Sequence, residues 1–91
     1  MARLALVTGG TRGIGAEISR ALKEAGLTVV ATYLGNDKAA AEFSNETGIK
    51  VYKFDVSSFD GCIEGVRRIV AEVGSIEILV NNAGITRDGT L

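Results

Sequence analysis

Four glycines fall within seven residues, at positions 9, 10, 13 and 15, between two segments of different periodicity. Before them, Leu4 to Val7 is a short continuous apolar run. Such a run, with no polar alternation, suits a strand covered on both faces, as in a parallel sheet. After them, Ile14, Ile18, Ala21, Leu22 and Ala25 recur at intervals of three and four, with Glu17, Arg20, Lys23 and Glu24 between. That spacing predicts an amphipathic helix with Gly26 just past its end. A turn from a buried strand into a helix aims the unpaired N–H groups of the first turn, and the positive end of the helix dipole, at the loop. Glycines there permit positive φ and let a phosphate approach the backbone with no Cβ in the way. Packing alone can ask for a tight turn, but one turn does not need four glycines.

The alternation continues. Leu27 to Thr32 is a β-branched run and reads as a second strand. Gly35-Asn36-Asp37 is turn chemistry, with Asn36 or Asp37 capping a helix that Gly48 closes. Ile49 to Phe54 alternates as a third strand. Ser57, Ser58 or Asp60 starts a third helix, with apolar positions at Ile63, Val66, Ile69, Val70 and Val73 and an end at Gly74. Ile76 to Val80 is a fourth strand, followed by Asn81-Asn82-Ala83-Gly84. The order βαβαβαβ predicts an α/β, Rossmann-type doubly wound parallel sheet, of which four strands and three helices form the N-terminal half. The fourth strand is then expected to be an open edge with apolar faces.

Composition narrows the function. Glycine is 12 of 91 residues and proline is absent, which no collagen-like or low-complexity segment matches. Ten Lys and Arg against eleven Asp and Glu leave a net charge of −1 with no block of like charge, so a nucleic-acid partner has no electrostatic footprint. No apolar run is long enough for a bilayer, and the N-terminus has too short a core for a signal peptide. One cysteine and no histidine exclude an intrachain disulfide and a His-based metal site. The expectation is a cytoplasmic globular chain, with Cys62 a small buried hydrophobe.

The glycine spacing is G-x-x-x-G-x-G; it is not G-x-G-x-x-G, and no Gly-Lys-Ser/Thr follows to make a P-loop. T-G-x-x-x-G-I-G at 8–15, Asp55-Val56 after the third strand and Asn81-Asn82-Ala83-Gly84 after the fourth together resemble the short-chain dehydrogenase/reductase family over nearly the whole chain. Asn-Asn-Ala-Gly-Ile-Thr-Arg-Asp at 81–88 resembles its 3-oxoacyl reductase group. The stretches from Tyr33 to Asp37 and from Glu46 to Val56 are similar to the acetoacetyl-CoA reductases of polyhydroxybutyrate synthesis. The resemblance implies roles by position. Gly9, Gly13, Ile14 and Gly15 would line the pyrophosphate, with Thr11 a further cofactor-binding residue. Asp55 would take the adenine amino group, with Val56 beside the ring. Asn82, Ala83 and Gly84 would meet the adenosine ribose and the floor of the cofactor site, with Ile85 a further cofactor-binding residue, while the asparagines also tie neighbouring strands. Asp88 would lie on the substrate side, although a surface loop explains Thr86-Arg87-Asp88 equally well.

The end of the second strand addresses the choice between NAD and NADP. An acid there takes the ribose hydroxyls of NAD. This chain has Tyr33 and Leu34 at that place, and Arg12 in the glycine loop offers a permanently charged fork suited to a 2′-phosphate. Asp37, a few residues on, reads as a helix cap. The expected cofactor is NADP(H).

The family's hydride chemistry rests on a Ser and a Tyr-x-x-x-Lys pair. Tyr33 and Tyr52 are the two tyrosines, and Asp37 and Val56 stand four residues after them. The catalytic group is therefore expected outside these residues, and the 91-residue chain alone is expected to be inactive. Residues 1–91 read as the N-terminal, NADP-binding part of a single Rossmann domain. Its full-length form, a homotetramer by resemblance, would reduce acetoacetyl-CoA. Two alternatives stand beside this: a 3-oxoacyl-ACP reductase of fatty-acid synthesis, and a non-catalytic dinucleotide-binding module.

Overall fold

A computed structural model describes residues 3–83. The elements are β1 (Leu4–Val7), α1 (Gly13–Glu24), β2 (Thr28–Tyr33), α2 (Asp37–Thr47), β3 (Lys50–Lys53), α3 (Phe59–Glu72) and β4 (Ile78–Val80). Every strand pair is parallel, and the spatial order is β3-β2-β1-β4. This is the half-sheet of a Rossmann fold, as the alternation of periods predicts. β1 is central and all four of its residues are buried, which is why it carries no polar side chain.

Alternate residues of each strand feed two apolar layers. Val7, Val29 and Ala31 pack with Ala16 of α1 and Phe43 of α2 on one face. Leu4, Leu6, Val30 and Tyr52 pack with Ile69 of α3 on the other. The chain therefore passes over one face twice while moving from β1 to β3. It then returns across the opposite face, through α3, to reach β4. Asn36 caps α2 by accepting the Ala39 N–H at 3.0 Å, and Ser58 caps α3 by accepting that of Gly61 at 3.1 Å. Asp37 is thus the first residue of α2 rather than its cap.

The strand starts differ from the sequence reading by one or two residues. Leu27, Ile49 and Ile76 precede the strands because the ladders begin at the pairs Leu4–Thr28, Val30–Lys50 and Ala5–Ile78. All three still pack in the core. The buried faces of the helices also differ. In α1, Gly15, Ala16 and Ser19 meet the sheet, while Ala21 and Ala25 are exposed and Ile14 is 72% exposed. Close approach of helix to sheet explains this: a Cβ on Gly15 would run into the Gly9 carbonyl. In α3, Gly65 and Ile69 face the sheet, and Gly65 makes room for the Phe54 ring.

Gly65 and Ile69 are the buried residues of α3, and several of its other apolar residues stay exposed. Tyr52 of β3 donates to Glu72 at 2.6 Å, and the Arg68 guanidinium lies 5.2 Å from the Tyr52 ring centroid. That flank of α3 is therefore polar. Phe59, Ile63 and Val70 lie on the opposite flank and are exposed, and Cys62 is only half-buried there. Leu79 of β4, in register with Leu6, lies on the same sheet face and is 61% exposed. No helix among the described residues is long and apolar enough to cross a membrane.

Candidate dinucleotide site

β1 lies between β2 and β4, which are reached over opposite faces of the sheet, so a crevice opens at the carboxyl ends of these strands. Four loops meet there. Gly9, Thr11, Arg12, Gly13, Ile14 and Gly15 come from the β1–α1 turn, Tyr33 and Leu34 from the end of β2, Asp55 and Val56 from beyond β3, and Asn82 and Ala83 from beyond β4. All line one cavity. Gly84, Ile85 and Asp88 lie outside the described residues.

The turn is held from both sides. Gly9 and Gly13 have φ of +64° and +54°, where a side chain is strained. Thr32 of β2 accepts the Gly9 N–H on its hydroxyl at 3.3 Å and the Gly10 N–H on its carbonyl at 3.1 Å. From the β4 side, Asn82 Nδ2 donates to the Gly9 carbonyl at 3.2 Å, and the Thr8 hydroxyl accepts the Ala83 N–H at 3.0 Å. Asn82 thus ties the strand ends together while forming part of one wall of the cavity, and Asn81 accepts the Thr8 hydroxyl on its Oδ1 at 3.4 Å.

The start of α1 differs from those of the other helices. α2 and α3 each have a side-chain cap and an aspartate in the first turn, Asp37 and Asp60. α1 has neither; its N-cap is Arg12, which makes no capping bond. Among the described residues no acceptor reaches the N–H groups of Gly13, Ile14 or Gly15. These orphan donors and the helix dipole favour an anion at the mouth of the cavity. The exposure of Ile14 follows from this placement: it belongs to the cavity lining and not to the core.

Charge is arranged in the same sense. Arg3, Arg20, Arg67 and Arg68 each pair with a glutamate, whereas no carboxylate among the described residues pairs with Arg12. At the end of β2, Asp37 is engaged by Lys53 at 3.1 Å and does not line the cavity. Asp55 Oδ1 accepts both the hydroxyl of Ser57, at 2.6 Å, and its backbone N–H, at 2.9 Å. First the hydroxyl and then the N–H hold the Asp55 carboxyl below the usual aspartate range. Among the described residues no donor reaches its second oxygen. Thr32, Gly35, Phe54 and Ser57 also line the cavity and were not placed in the site by sequence. The Asp-x-Ser spacing is the one signal that identifies Ser57.

An uncapped helix behind a glycine turn, at the switch point of a parallel sheet, defines a Rossmann-type nucleotide-binding unit. The profile of the short chain dehydrogenase family matches residues 3–91, and the chain belongs to that family. It is 62% identical over 88 residues to an acetoacetyl-CoA reductase of Paracoccus denitrificans, covering 97% of this chain and 36% of the relative. It is 44% identical over 91 residues to a 3-oxoacyl-[acyl-carrier-protein] reductase of Vibrio harveyi, covering 98% and 37%. A solved structure from Bacillus thuringiensis, assigned as a 3-oxoacyl reductase, superposes with a TM-score of 0.86 at 27% identity, covering 92% of this chain and 37% of that one. The chain thus spans little more than a third of the length of these relatives.

Proposed function

We propose that residues 1–91 form the N-terminal, NADP(H)-binding part of a single Rossmann domain in a short-chain reductase. The observation that carries this reading is the uncapped start of α1 beside Arg12, which has no carboxylate partner among the described residues, with no acid of β2 facing the cavity. Gly13, Ile14 and Gly15 would meet the pyrophosphate through their N–H groups, and Thr11 would lie beside them. Arg12, Tyr33 and Leu34 would surround the 2′-phosphate. Asp55, with Val56 beside it, would accept the adenine amino group on its second oxygen, and Asn82 and Ala83 would carry the ribose. NADPH, when bound, supplies hydride; the residues described here bind and orient it, and none of them is placed as the proton donor.

The substrate we propose for the whole protein is acetoacetyl-CoA, reduced to the 3-hydroxy thioester. Its support is the 62% identity to reductases named for that substrate in Paracoccus denitrificans and Shinella zoogloeoides. The second reading, a 3-oxoacyl-ACP substrate, rests on the Vibrio harveyi relative. Titrating this chain with NADPH and NADH, followed by nucleotide fluorescence, tests the cofactor reading; tighter binding of NADH would overturn it. Assaying the complete reductase with acetoacetyl-CoA and acetoacetyl-ACP in parallel tests the carrier, and a higher kcat/KM with the ACP thioester would reverse the choice.

A further inference from the structure

Three successive peptide units form the glycine turn, and among the described residues the last of them has an N–H without an acceptor. The Gly9 N–H is accepted by the Thr32 hydroxyl. The peptide joining Gly9 to Gly10 is held at both ends, its carbonyl by Asn82 Nδ2 and its N–H by the Thr32 carbonyl. The peptide joining Gly10 to Thr11 is held at its carbonyl alone, and the donor is Ser19 Oγ at 3.0 Å.

Ser19 lies on α1 and is fully buried, at 0% exposure. Its hydroxyl comes up beneath the turn from the core side. A Cβ added at Gly10 would stand 2.7 Å from Ser19 Oγ and 2.9 Å from the Ala31 Cβ, so the turn lies close against α1 and β2 at this residue. No cis peptide occurs in the described chain, and a trans peptide points its C=O and N–H in opposite directions. With the Gly10 carbonyl drawn toward Ser19, the Thr11 N–H is directed away from it. Thr11 lines the cavity, is 8% exposed, and its N–H has no acceptor among the described residues. A donor that little exposed is ordinarily paired.

We infer that Ser19 is a positioning residue: by holding the Gly10 carbonyl it presents the Thr11 N–H to an oxygen of the bound dinucleotide. The inference rests on the dinucleotide reading above and adds a donor outside the first turn of α1. It assigns a binding role to a buried helix residue that touches no ligand itself.

Amide proton–nitrogen spectra of the 91-residue chain, titrated with NADP+, test it. The Thr11 amide is expected to move downfield together with those of Gly13 and Gly15. In Ser19→Ala the glycine amides still respond, the Thr11 displacement shrinks by at least about half, and the NADP+ dissociation constant rises about tenfold, as loss of one hydrogen bond to a charged group implies. Ser19→Cys, which keeps a weak donor, is expected to fall between the two. If the glycine amides move and the Thr11 amide does not, or if Thr11 responds in Ser19→Ala as it does in the parent, the role of Ser19 is refuted while the cofactor site stands. If no amide of the turn responds, the dinucleotide reading itself fails. If Ser19→Ala does not fold, Ser19→Cys supplies the comparison: an undiminished Thr11 response there, with the glycine amides still moving, refutes the role of Ser19.

Discussion

Asn82, just beyond β4, donates through Nδ2 to the carbonyl of Gly9, and so joins the first loop of the chain to the last described one across 73 positions of sequence. The bond is made by a side chain only 6% exposed. Asn82→Ala leaves the Gly9 carbonyl without its donor, which costs about 1–3 kcal/mol for a buried group. Thermal unfolding should register this as a lower midpoint. NADPH binding should weaken as well, because the turn loses its support on the β4 side.

Gly13 and Gly15 are expected to respond differently to alanine. A Cβ at Gly13 meets nothing within 4 Å, so the penalty is that of φ +54° alone, about 1–2 kcal/mol. A Cβ at Gly15 runs into the Gly9 carbonyl and the Asn82 amide. Gly15→Ala must push α1 away from the turn, and we expect it to abolish measurable NADPH binding while Gly13→Ala retains it. Calorimetric titration of both variants provides the comparison.

Arg12→Ala should discriminate between the two cofactors. Loss of a charge-assisted bond to a 2′-phosphate costs roughly 1.5–3 kcal/mol, about a ten- to hundred-fold rise in the NADPH dissociation constant. NADH has no such phosphate and should lose little. Equal losses for both nucleotides would place Arg12 elsewhere in the site.

The pair Tyr52–Glu72 predicts alkaline behaviour. Burial, followed by the Glu72 carboxylate that accepts the phenol proton, raises the Tyr52 pKa above its ordinary value. The folded chain therefore holds this proton more tightly than the unfolded chain. The resulting stability is present below the unfolded value, about 10, and is lost as pH rises through the folded one. Tyr52→Phe should flatten the decline of the urea midpoint above pH 10 and leave its slope near neutrality unchanged.

Much of this architecture is legible in the sequence because local chemistry and global fold agree. The apolar run Leu4–Val7 has no alternation because both faces of β1 are covered, and the glycine turn announces the helix that follows. The buried face of α1 is less legible. Its apolar periodicity points to Ala21 and Ala25, but the close approach at Gly15 rotates small residues, including Ser19, against the sheet. Thr32 reads as one β-branched residue among several, yet it holds two N–H groups of the turn, which only the parallel pairing of β1 with β2 brings within reach. Likewise Ser57, Ser58 and Asp60 all have cap chemistry. Ser57 is taken by Asp55 and Ser58 accepts the Gly61 N–H, a division that depends on the path of the chain after β3.

The outward flank of α3, with Phe59, Ile63 and Val70, shares a sheet face with the uncovered Leu79. Apolar surface in water gives its contacts a characteristic dependence on temperature. Any association made through this flank should tighten on warming from near freezing and loosen on cooling, with a negative heat-capacity change. The polar flank carrying Arg68 and Glu72 has no such dependence and answers instead to salt. One helix therefore offers two sides whose interactions are tuned by different solution variables.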